Sequence, residues 1–155
     1  MEEVFLSSNI KLPLSQEEKS ILRKTNLKMS DIHTFNTEEI ADLLDIPVRK
    51  AETLKGLADF QTVPSIGYKL AENLVVVLNI FGLSEIKDKD GAKLFDQLEQ
   101  ELAVRIDSCV EDQIRCVINY TNNPTSSKHW FDFTDERKTY RELVGFPENR
   151  PKKAW

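Results

Sequence analysis

The chain has little of what holds very small or membrane-bound proteins together. It contains only two cysteines, two methionines and five glycines in 155 residues. Its longest apolar run, Leu74 to Leu78, falls far short of the roughly 20 residues that cross a bilayer, so no membrane span is expected. The start, MEEVFLSSN, carries acids where a secretion signal would carry lysines, and no long apolar stretch follows it; it reads as the start of a cytoplasmic protein. Cys109 and Cys116 stand seven apart in a segment of helical period, on one face and roughly 10 Å apart along the axis, which is too far for a disulfide within that helix. They are expected as reduced thiols facing inward. A basic excess is missing as well. The net charge of −5 tells against a general nucleic-acid coating protein, whose affinity comes from neutralising phosphates. Only the stretch from residue 122 onward holds more basic than acidic side chains.

The usual marks of catalysis are also lacking. There is no P-loop, no dinucleotide fingerprint and no His-Glu-x-x-His string. His33 and His129 stand alone, and the acids Asp88 and Asp90, with the pairs Glu38-Glu39 and Glu111-Asp112, read as solvated faces and helix starts rather than as a metal centre. Nothing assembles a nucleophile, a base and an oxyanion site. The expectation is a protein without enzymatic activity, cofactor or metal.

What is present is an ordinary globular composition, 40% apolar and 30% charged, in a chain long enough to bury roughly 70% of its unfolded surface. The hydrophobic period is helical throughout, which predicts an all-α fold. Ser15 with Glu18 and Asn36 with Glu39 have capping-box spacing and open two helices. Pro47 suits the first position of a third, carrying Val48, Ala51, Leu54, Leu57 and Ala58 on one face. Leu70 to Leu78 makes a fourth, ended near Phe81-Gly82; the triplet Val75-Val76-Val77 would suit a strand but lies inside an i, i+3, i+4 pattern. Gly91 to Glu101 and Asp107 to about Tyr120 give two more. Asn122 to Ser127 is turn chemistry and marks a subdomain border. Beyond it lie an aromatic cluster (Trp130, Phe131, Phe133), a short helix near Asp135 to Leu143, and a basic, proline-containing tail read as a frayed terminus. Trp130 and Phe133 are either a sealed core edge or surfaces on which single-strand bases stack. The chain divides into an N-terminal helical extension (1–34), a central helical domain (35–121) and a C-terminal appendage (122–155).

The informative string is TVPSIGYKLAENL. Pro64 and Gly67 force a tight reversal between two helices, and Val63 and Ile66 are spaced to plug it into the core. Gly67 tolerates positive φ and leaves its backbone open to approach. The amides from Ile66 to Lys69 are the unpaired donors that begin a helix, at the positive end of its macrodipole, and Lys69 adds a charge. Such a helix start suits an anion, phosphate above all. The alternative is a turn that only joins two core helices. One internal echo accompanies it: Ile46 to Leu54 (IPVRKAETL) matches Ile66 to Leu74 (IGYKLAENL) at an offset of twenty, with Pro47 standing where Gly67 stands. The first copy is expected to hold no ligand, because Pro47 removes an amide.

Val63-Pro64-x-Ile66-Gly67-x-Lys69-x-Ala71-x-x-Leu74 resembles the helix-hairpin-helix motif of DNA-repair and replication proteins, with Ser65 replacing the motif's first glycine. The resemblance implies that Pro64, Ser65, Ile66, Gly67, Tyr68 and Lys69 bind DNA phosphates from the minor-groove side without reading sequence. A wider likeness covers roughly residues 35 to 135. The order of that motif, FGLSEIKD, a helix with Leu94 and Leu98, RIDSCVEDQIRCVINY, and the cluster Trp130-Phe131-x-Phe133-x-Asp135 resembles the bacterial pathogenicity-locus helix-hairpin-helix family, some of whose members have been labelled mitomycin-resistance proteins. It implies a helical DNA-binding fold in a bacterial cytosol, with a role in DNA repair or maintenance. Two functions stand open: sequence-independent binding of duplex or structured DNA, favoured by the glycine turn, and a protein-interaction module in which the hairpin is only structural, favoured by the acidity.

Overall fold

The computed structural model describes residues 10–154; the acidic start read above as non-secretory lies outside these residues, as does Trp155. Eight α-helices are ordered along the described chain: α1 (Gln16–Lys24), α2 (Thr37–Leu44), α3 (Val48–Phe60), α4 (Tyr68–Glu72), α5 (Leu83–Ile86), α6 (Gly91–Leu102), α7 (Cys109–Asn122) and α8 (Thr134–Val144). Two 3₁₀ turns, Met29–Thr34 and Trp130–Phe133, join them, and α4 runs on as a π-helical turn over Asn73–Val77. The fold is all-α, as the period predicts.

Local chemistry sets most boundaries. Ser15 and Asn36 cap α1 and α2, each with its reciprocal glutamate, Glu18 and Glu39. The Asp90 carboxylate accepts the amides of Ala92 and Lys93 at the head of α6, and Asp107 accepts that of Cys109 at the head of α7. Helix ends share a second device: Asn26, Asp45, Asn79 and Ala103 take left-handed backbone just past α1, α2, α4 and α6. Each is followed by an apolar residue, Leu27, Ile46, Ile80 or Val104, of which Ile80 is buried and the others are half-buried. Left-handed closure followed by an apolar contact is a common helix terminator. At Asn79 it stops α4 before the expected end at Phe81-Gly82, and Gly82 instead lies extended at the start of α5.

A single apolar cluster runs from Ile10 to Phe133, centred on Leu54, Leu57, Phe60, Leu74, Phe95, Leu98 and Ile114. Ile10, Leu12 and Leu14 alternate into it, and buried Gln61 secures that extended segment by accepting from the Lys11 amide (2.9 Å) and donating to the Lys11 carbonyl (2.7 Å). Gly56 lets α3 approach the next layer closely: a Cβ there would stand 2.9 Å from the Phe81 carbonyl oxygen. Val48, expected on the inner face of α3, is 53% exposed at its first turn.

The C-terminal segment is fastened by arginines. Arg137 grips Asp112, Arg141 reaches both Asp96 and Glu111, and Arg150 grips Glu99. Glu99, Glu111 and Asp112 are fully buried, so the Glu111-Asp112 pair is not the solvated helix start that local reading suggests. The tail is not frayed over its described part. Arg105 donates its amide to the Lys153 carbonyl (2.7 Å) and its Nε to that of Pro151 (2.8 Å), while Gln100 donates to that of Asn149.

Candidate functional site

The turn between α3 and α4 is built from the inside outward. Val63 and Ile66 are buried, 2% and 6% exposed, and plug it into the core. The Val63 amide donates to the Phe60 carbonyl and the Ile66 amide to the Val63 carbonyl. Ser65 takes left-handed backbone, φ 68°. Gly67 then caps α4 with extended backbone, φ −104° and ψ −173°. Two expectations change here. The positive φ of the turn falls on Ser65, not on Gly67, and the Ile66 amide is already bonded inside the turn.

The remaining donors are at the start of α4. The first helical bond runs from the Ala71 amide to the Gly67 carbonyl, 3.3 Å. The amides of Gly67, Tyr68, Lys69 and Leu70 have no hydrogen-bond partner among the described residues, and no side chain caps them. They are the four orphan donors of a helix start. At Gly67 a Cβ would meet nothing within 4 Å, so the space in front of these amides is open. Lys69 projects outward, its side chain 85% exposed and only loosely paired with Glu72 at 3.4 Å. The Tyr68 hydroxyl lies 3.3 Å from Glu72; burial and then the Glu72 charge push its pKa above 10.0. Pro64 has no amide to offer and shapes the reversal.

Ser65 has a structural partner that local reading misses. Its Oγ accepts the Trp130 amide at 3.0 Å. The same hydroxyl lies beside the Cys116 thiol, which burial pushes up to about 11 against the opposing pull of Ser65. The turn and the aromatic segment are therefore joined through side-chain chemistry 65 residues apart in sequence. Within that segment Phe133 is buried and Trp130, partly buried, packs against the core, the arrangement of a sealed core edge. The exposed ring is Phe131, 57% accessible, stacked on His129 with ring centres 5.3 Å apart. Cys116 faces inward as expected. Cys109 is only half-buried, its thiol pushed up to about 11 by burial and by the Asp107 carboxylate.

The internal echo is a geometric copy. Asp45 and Ser65 both have positive φ, Ile46 and Ile66 follow, and Pro47 and Gly67 occupy the N-cap positions of α3 and α4. Neither helix has a capping side chain. They differ in that Pro47 brings no amide.

Among the described residues no three His, Cys, Asp or Glu side chains gather as a metal-ligand set, and no helix is long and apolar enough to cross a membrane. The fold and the turn define a helical protein with one open, uncapped helix start tied to an aromatic segment. A family model described as Cdd1, Pathogenicity locus, matches residues 53–139, and the chain belongs to that family. The match takes in the turn, α7 and the aromatic segment. No curated protein and no solved structure matches the chain.

Proposed function

We propose that the protein binds the phosphate backbone of duplex or structured DNA without reading sequence, the turn acting as a helix-hairpin-helix. The observation that carries this reading is the set of partnerless amides from Gly67 to Leu70 behind an open face at Gly67. Oriented amides at a helix start favour an anion, and Lys69 adds a mobile charge. Pro64, Ser65 and Ile66 hold the turn in shape. With one lysine and neutral donors, few counterions are released, so the log-log salt slope should be shallow, roughly −1 to −3. Repair or maintenance of DNA in a bacterial cytosol is the setting this activity fits.

The test is anisotropy titration of a labelled duplex at low salt. Gly67→Val should abolish binding while leaving the thermal midpoint nearly unchanged, because the extended backbone at Gly67 suits any residue and a Cβ there meets nothing within 4 Å. Lys69→Ala should weaken binding by about threefold, a loss near 0.7 kcal/mol. A folded Gly67→Val protein that binds like the parent, or a parent that does not bind, would refute the reading. A second reading, a protein-interaction module, is favoured by Leu143, Val144 and Phe146, which are 82%, 63% and 38% exposed at the end of α8. It takes the lead if DNA binding fails.

A further inference from the structure

We propose that Phe131 and His129 form a nucleobase-stacking platform beside the phosphate-binding turn, so that the ligand class is duplex DNA bearing an unpaired base, such as an overhang, gap or junction. The proposal rests on the DNA-backbone reading above and adds a second contact to it.

Phe131 is more than half exposed, yet the segment around it is held firmly on both sides. Trp130 donates its amide to Ser65 Oγ at 3.0 Å, Phe133 is sunk into the core at 5% exposure, and the Asp132 carboxylate accepts the His129 amide at 2.9 Å. A ring presented to solvent on so fixed a turn is not exposed through looseness. The rings of His129 and Phe131 lie 22° from parallel, and Trp130 meets Phe131 edge-on with centres 5.8 Å apart. His129 covers one face of the Phe131 ring, so the stacked pair offers a base an outer aromatic face, the kind of surface on which a base stacks whatever its identity.

Position and charge narrow the occupant further. The Ser65 bond ties this segment to the turn that carries the uncapped amides. Exposed Lys128, two residues before Trp130, has its ammonium 5.6 Å from the centre of the Phe133 ring, and Lys69, 85% exposed and loosely paired with Glu72, stands at the start of α4. Asp132 is the acidic group within the segment, and its carboxylate is engaged as the cap. A strand whose phosphate sat on the Gly67 amides would have Lys69 beside it, and its neighbouring base, if unpaired, would have the aromatic pair tied to the same turn to meet.

Anisotropy titrations of a blunt duplex, and of the same duplex extended by a short single-stranded tail, test the idea at one low salt concentration. The parent should bind the tailed duplex about fivefold more tightly, the lower end of what one stacked base contributes. Phe131→Ala should lose that preference while keeping its blunt-duplex affinity, and Phe131→Trp should restore it. Because the ring is largely exposed, the alanine variant should fold. Equal affinity for the two duplexes in the parent, or an undiminished preference in Phe131→Ala, would overturn the platform and leave the exposed ring to a protein partner. If blunt-duplex binding is present and depends on Gly67 in that case, the backbone reading survives alone. If neither duplex binds, both fall together.

Discussion

Arg137 offers a direct test of how the C-terminal third is held. Its Nε donates to Asp112 Oδ1 at 2.8 Å and one terminal nitrogen donates to Oδ2 at 3.3 Å. The only other partner of that carboxylate among the described residues is the Thr134 hydroxyl at 2.8 Å. The Asp112 side chain is 1% exposed and that of Arg137 14%. Arg137→Met keeps the aliphatic length and removes the charge, leaving a buried carboxylate with one neutral donor. Breaking a buried pair in this way costs about 3–5 kcal/mol. We expect about 3, since Thr134 still donates and water reaches the arginine's end of the pair. For a domain of this size the thermal midpoint should fall by roughly 6–12 °C. Urea unfolding followed by circular dichroism reads the loss. Asp112→Asn and the double variant complete a cycle whose coupling should be about 2 kcal/mol, and exposed Lys138→Ala serves as the control. A loss under about 0.5 kcal/mol, the size of an ordinary surface substitution, or a coupling near zero, would show that α8 is held by its apolar contacts alone.

Three further outcomes follow from the geometry. Burial tends to raise the Glu18 pKa, but the Lys50 ammonium at 2.7 Å and the Ser15 amide outweigh it and hold the value below the ordinary 4.5. Its stabilising contribution should therefore be complete above that ordinary value and disappear as pH falls through the lowered one; Glu18→Gln should flatten the acid limb of a stability-against-pH curve, and an unchanged limb would argue against it. Both thiols, pushed up to about 11, should react slowly with a disulfide reagent at neutral pH, Cys109 ahead of buried Cys116, and reach full modification only on unfolding; rapid labelling of both would place them at the surface. Gly56→Ala should destabilise although alanine favours a helix by about 1 kcal/mol, because its methyl would press on the Phe81 backbone; a more stable variant in chemical denaturation would mean that α3 can shift away freely.

The distribution of charge bears on how strongly such a protein could hold DNA. The stretch beyond residue 122 is the only basic one in the sequence, yet Arg137, Arg141 and Arg150 all point inward to buried acids. Arg141 and Arg150 also lie over the Phe146 ring, at 4.1 and 3.7 Å. These guanidinium groups fasten the chain to itself. A phosphate contact must therefore rely on the amides of the turn and a few exposed lysines, against a net charge of −5, which is why shallow salt dependence and modest affinity are expected together.

Local signals in the sequence determined the helical class and most helix starts. The capping boxes at Ser15 and Asn36 and the carboxylate at Asp90 act within three residues, so composition and spacing are enough to reveal them. The plug residues Val63 and Ile66, the open helix start at Gly67 and the echo at an offset of twenty residues were legible for the same reason, as were the marks of the family to which the chain belongs. Tertiary structure alone decided the rest. The bond from Trp130, far along the chain, to the Ser65 hydroxyl has no local signal, and local propensity does not assign positive φ to serine over the nearby glycine. Glu111 and Asp112 look like ordinary first-turn acids until α8 brings Arg137 and Arg141 to them. The tail looks frayed until Arg105 and Glu99 receive it. Which aromatic of the cluster would face solvent depended equally on where α7 lay: Phe133 fell toward the core and Phe131 was left outside. Contacts between distant segments exist only once the core has brought them together, and a sequence window holds just one side of each.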